Sequence, residues 1–150
     1  MKRFVWRLQK VLDIKSKEEQ VKQMELFRLT EALAERQSEI LLRQQTLREI
    51  MGEITRDRSA QRLGTQEFFL RHATTNDRLI ENLKRQITDL EIQRRKKTEE
   101  VLAAKRFREG LEKLRAEAKE RFIQEQEKLE QKEVDDRTTV AYARSVSMKS

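Results

Sequence analysis

His72 is the one histidine in a 150-residue chain that has no cysteine, so it is the one side chain suited to proton transfer near neutral pH. It has no second histidine and no thiol to work with. A general base or a metal ligand needs a geometric partner, and without one His72 reads as a surface or near-turn residue. The absence of cysteine also removes disulfides, thiolate metal sites and thiol nucleophiles. Gly52, Gly64 and Gly110 are isolated, and no glycine-rich loop followed by Lys and Ser or Thr is present to cradle phosphates. The acidic pairs Glu18-Glu19, Glu99-Glu100 and Asp135-Asp136 fit solvated helix faces better than catalytic carboxylate pairs. The run Arg94-Arg95-Lys96-Lys97 could bind phosphate. On a helix, however, four consecutive residues point around the whole circumference, acids flank the run, and no aromatic interleaves with it. The expectation is a non-enzymatic protein with no catalytic residues, no cofactor and no metal site.

The elements that carry these residues are helical. Leu26, Leu33, Ile40, Leu47 and Ile54 fall seven apart without a slip, and the register extends back through Glu19 to Leu12 and forward to Gln61. A strict seven-residue apolar repeat keeps one stripe of a helix facing a partner helix. The stripe opens with Phe4, Leu8, Val11 and Leu12 at the spacing of one helical face, and Leu29, Ile50 and Met51 flank its later part. A second series reads Ile80, Ile87, Arg94, Val101, Arg108, Arg115, Phe122 and Leu129. Its companion reads Leu83, Leu90, Lys97, Ala104, Leu111, Ala118 and Glu125. The polar members weaken this seam while helping to fix its register. The predicted fold is all-α, a long antiparallel two-helix coiled-coil hairpin forming one domain over residues 1–150. Its parts are helix 1 over about 4–62, a turn at about 63–66, helix 2 over about 67–140 and a frayed tail over 141–150. At 1.5 Å per residue, helix 1 would be roughly 85–90 Å long. Gly64 and Thr65 suggest the turn as terminator and cap, with Thr74-Thr75-Asn76-Asp77 as a second candidate. Such a hairpin brings both termini to one end.

Charged residues make up 41% of the chain and hydrophobic ones 36%, with no proline. That is too polar for an ordinary globule and suits helices that each bury a narrow stripe. Disorder is the competing reading of so much charge, and the interleaved signs and regular apolar spacing oppose it. No apolar run approaches the roughly 20 residues that span a bilayer. Basic residues also interrupt the start too often for a secretory signal, so a cytoplasmic protein is expected. The net charge is +7. Residues 1–17 hold six Lys or Arg against Asp13, and residues 137–150 hold Arg137, Arg144 and Lys149 with no acid. Basic ends favour acidic partners. Residues 1–17 also fit a basic amphipathic membrane-surface helix, although pairing with helix 2 explains the same apolar residues. Trp6 sits off that stripe and suits either a partner anchor or ordinary packing.

The opening Phe4-Val5-Trp6-Arg7-Leu8-Gln9-Lys10-Val11-Leu12-Asp13-Ile14-Lys15, with Glu18-Glu19 after it, resembles the N-terminal signature of the FliJ family, the small coiled-coil proteins of the bacterial flagellar export apparatus. The far end agrees: Leu111-Glu112-Lys113-Leu114, the aromatic Phe122, then Glu130-Gln131-Lys132-Glu133-Val134-Asp135-Asp136. The family commonly has an E-x-K-x-x-D-E element there, and this chain has Asp136 in place of the last glutamate. The resemblance covers nearly the whole chain, although residues 20–75 match only as heptad sequence. It implies a central stalk and chaperone escort that engages the ring of the export ATPase FliI, contacts the export gate protein FlhA and handles export chaperones. It places the ATPase contact at Phe4, Trp6, Arg7, Leu8, Val11, Leu12, Glu130, Lys132, Asp135 and Asp136, and the gate contact at Leu79, Leu83, Gln86 and Leu90. It also implies a monomer when free, peripheral to the inner-membrane basal body, that reaches the membrane only through the export apparatus and binds no nucleic acid. The alternatives are the equivalent stalk of an injection-type secretion system, a basic coiled coil binding nucleic acid or an anionic surface, and a homodimerising structural rod.

Overall fold

The computed structural model describes residues 2–56 and 62–149, in which two α-helices account for nearly every position: α1, Gln9–Arg56, and α2, Arg62–Lys149. The chain separates into two compact units. The first is Met1–Glu19 with Ala103–Ser150, and the second is Gln20–Leu102. Within each unit a stretch of α1 packs antiparallel on a stretch of α2, the all-α arrangement of a two-helix hairpin.

The heptad positions account for the packing. In the first unit Leu12 and Leu111 are buried. In the second, Leu33, Ile54, Ile80 and Leu83 are buried, with Leu33 the deepest at 3% exposure. Leu26, Ile40 and Leu47 of the seven-residue series are half-buried, as expected where only one helix covers another. Four residues assigned to the seam by their spacing lie outside it: Val11, Arg94, Glu125 and Leu129 are exposed. Met51, placed beside the seam, is 58% exposed.

The helix ends differ from the expected ones for identifiable reasons. α1 starts at Gln9 rather than near Phe4. Residues 2–8 offer no Ser, Thr, Asp or Asn to cap an earlier start, and Lys2, Arg3 and Arg7 would sit at the positive end of the helix dipole. The Gln9 amide instead donates to the Trp6 carbonyl at 3.2 Å, and the Leu12 amide to the Leu8 carbonyl at 3.0 Å. α2 starts at Arg62, so the turn expected at 63–66 is helical, and Gly64 does not terminate a helix. The second turn candidate is also helical. Thr74 and Thr75 direct their hydroxyls back to the carbonyls of Leu70 and Arg71, at 2.9 and 3.1 Å. Back-bonding of this kind occupies the hydroxyls that capping would need. The expected run of helix 1 through 57–61, with Gln61 in its register, lies outside the described residues. At the other end α2 continues to Lys149 where fraying was expected from about 141. That stretch has neither Gly nor Pro, and Ala141, Ala143 and Arg144 are good helix formers.

Candidate functional site

The two terminal motifs meet in the first unit. Residues 2–8 precede α1 as a non-helical segment, and Phe4 lays its ring against Phe122 at a centroid separation of 5.5 Å and an interplanar angle of 53°. Such a tilt suits the quadrupoles of two aromatic rings. Arg115 of α2 reaches both Phe4 and Gln9. Its guanidinium lies 5.6 Å from the Phe4 ring centroid, and its Nε donates to Gln9 Oε1 at 2.8 Å. One turn further along α1, Leu12 is buried. Lys15 Nζ sits 5.3 Å from the Phe107 ring centroid and pairs with Glu18 at 3.1 Å.

The unit also buries a charge. Glu19, only 4% exposed, accepts from Arg108 Nε and, at 3.5 Å, from Arg108 Nη2. Arg108 Nη1 also donates to Glu112 at 2.9 Å. The hydrogen bond it donates to Glu19, then that to Glu112, holds the Arg108 guanidinium above its ordinary pKa. Both residues stand at heptad positions, so the available signal was an acid and a base at facing seam positions.

Of the residues tied to an ATPase contact, Phe4, Trp6 and Leu8 are half-buried, Leu12 is buried, and Arg7 and Val11 are exposed. Glu130, Lys132, Asp135 and Asp136 all lie on a stretch of α2, residues 127–148, in which every residue is exposed. The structure therefore places both motifs in one unit. The N-terminal one is largely packed against α2, and the C-terminal one stands free beyond Phe122.

The gate residues belong to the second unit. Leu79 is exposed, Leu90 is half-buried and Leu83 is buried in the seam. Gln86 is exposed and its Oε1 accepts from Arg36 Nε at 2.7 Å. Close by in sequence lies a polar cluster that spacing did not reveal. Asn76, 5% exposed, donates to the Arg43 carbonyl at 3.2 Å and accepts from Arg43 Nη1 at 3.4 Å. Arg43 also pairs with Glu39 at 3.1 Å. The basic run resolves as expected for a helix surface: Arg94, Arg95 and Lys96 are exposed, while Lys97 bridges Glu25 at 2.7 Å and Glu100 at 2.9 Å. His72 is exposed and stacks on Phe68 with ring centroids 6.0 Å apart.

Among the described residues, no group of His, Cys, Asp and Glu could hold a metal ion. No described helix is long and apolar enough to cross a membrane. The arrangement offers surfaces: a packed basic N-terminal segment, an exposed helical extension, and the exposed side chains of the second unit around Leu79 and Gln86.

Residues 3–147 match the family model of the flagellar FliJ protein. Neither a curated protein nor a solved structure matched the chain.

Proposed function

The chain belongs to the FliJ family of flagellar proteins, and on that premise we propose that it serves the export apparatus as a non-enzymatic stalk and chaperone escort. The first unit engages the ring of the export ATPase FliI, and the second contacts the export gate protein FlhA. The observation that carries this reading is the joining of both terminal motifs in one unit, where α2 continues for residues 127–148 with every side chain exposed. A helix held at its base by the packing of Phe4 on Phe122 and exposed over residues 127–148 presents the surface a ring would grip.

The residues divide by role. Phe4, Leu8 and Leu12 hold the N-terminal segment on α2, with Trp6 half-covered beside them. Arg7 and Val11 are available to the partner, as are Glu130, Lys132, Asp135 and Asp136 on the extension. For the gate, Leu79 and Gln86 form the accessible surface, Leu90 borders it and Leu83 supports it from within the seam. In this role the protein works at the cytoplasmic face of the inner membrane, peripheral to the flagellar basal body.

The test is binding to the purified export ATPase by wild-type protein and by Arg7→Glu, with helicity followed by circular dichroism. Arg7 is exposed, so the variant should keep its helicity and bind several-fold more weakly. Loss of helicity in Arg7→Glu would make Arg7 structural, and undiminished binding would remove it from the contact.

A further inference from the structure

The seam that the N-terminal residues cover on α2 runs through Leu111, Arg115, Ala118 and Phe122, in steps of four, three and four. The same steps carry that face onward through Gln126, Leu129, Glu133, Asp136 and Val140, since positions three and four apart share one side of a helix. Phe4 covers Phe122, Gln126 is half-buried, and from 127 to 148 every side chain is exposed. Leu129 and Val140 stand 53% and 51% exposed, whereas Leu111, on the covered part of the same face, is 8% exposed. Among the described residues no second helix covers this face over residues 127–148.

The charge on this face changes as the cover ends. The covered part presents Arg108 and Arg115, and the open part presents Glu133 and Asp136. Residues 125–136 hold six carboxylates against Lys128 and Lys132, within a chain whose net charge is +7. A second copy of the chain fits poorly here. Its own extension would bring acid against acid, and its basic N-terminal segment already covers its own α2.

We propose that the face through Leu129, Glu133, Asp136 and Val140 docks a basic amphipathic helix of the export ATPase, lying along α2 where the N-terminal residues leave off. Apolar side chains of that helix cover Leu129 and Val140, and Lys or Arg residues meet Glu133 and Asp136. The inference rests on the stalk reading and adds to it the face of α2 that is gripped and the charge of what grips it. Of the four C-terminal residues assigned to the ATPase by family resemblance, Asp136 lies on this face.

The experiment measures the affinity of full-length protein for the export ATPase at about 0.1 M and 0.3 M salt. Two variants alter the face: Glu133→Lys/Asp136→Lys and Leu129→Ala/Val140→Ala. A third, Glu117→Lys/Glu120→Lys, makes the same change of charge on the opposite side of α2. All these residues are exposed, so helicity should hold, and circular dichroism checks it. The expected result is affinity lowered roughly tenfold or more by each face variant, within about threefold of wild type for the opposite-side variant, and salt-sensitive only where Glu133 and Asp136 remain. Wild-type binding with undiminished affinity in the face variants would overturn the inference and leave the stalk reading standing. So would equal weakening by the opposite-side variant. No binding by wild-type protein would overturn both.

Discussion

A carboxylate at a seam position is a liability unless something meets it, and Glu19 is met by Arg108. Taking one partner away removes this ion pair while the other charge stays buried, whereas replacing both by apolar residues is often neutral or stabilising. Arg108→Met should therefore lower the melting temperature clearly, and the double variant Glu19→Leu/Arg108→Leu should recover it to the wild-type value or above. A thermal melt of both decides the matter; equal loss in the two would mean that the pair is not the source of the effect. Lys97 gives the pH dependence. Its hydrogen bonds to Glu100 and Glu25 hold it above its ordinary value, and its hydrogen bond to Glu100 holds that carboxyl below its own. A lowered carboxyl stabilises the fold above its unfolded pKa and ceases to do so as the pH falls through the folded one. A raised lysine stabilises it below its unfolded pKa and ceases to as the pH rises through the folded one. The difference in melting temperature between wild type and Lys97→Met should thus be constant across neutral pH and shrink in acid. A difference unchanged down to about pH 2 would contradict this assignment.

The helices draw their stability from one narrow seam, so a single methylene-rich residue in it matters more than its neighbours on the outer faces. Leu33→Ala should cost about 2–4 kcal/mol in a denaturant or thermal melt. Gly110 lies mid-helix with open space where a Cβ would stand, and Gly110→Ala should add roughly 0.5–1 kcal/mol. These are the parts of the fold that periodicity made legible: the seven-spaced leucines, the second series around Ile80 and Leu83, and the pairing of two long helices. The ends were less legible because local chemistry competes there. The same Thr74 hydroxyl caps a helix or bonds back into one, and Gly64 serves equally as terminator or as a tolerated interior residue. Spacing also carried the second seam to Leu129, since a repeat on one helix cannot show where its partner begins. Over the described residues the cover on α2 thins past Phe122, where Gln126 is half-buried and the side chains from 127 to 148 are exposed.

The basic N-terminal segment and the acidic stretch of α2 stand in one unit, and their opposite charges suit different parts of a partner's surface. The candidate site was legible as motifs but not as geometry. Phe4 and Leu12 belong to a signature, yet their work is to hold the segment on α2, and the free surface falls to Arg7, Val11 and the extension. Asn76 with Arg43 was missed altogether, because a buried polar cluster leaves no trace in an apolar repeat. The family makes this a protein of flagellar export, and the proposal adds that the export ATPase grips its exposed α2 extension. The most direct test is the rate of ATP hydrolysis by the purified ATPase as full-length protein is titrated in at constant salt. A rise that saturates with added protein is the expected result. A rate that stays flat at concentrations well above that of the ATPase would contradict the stalk role.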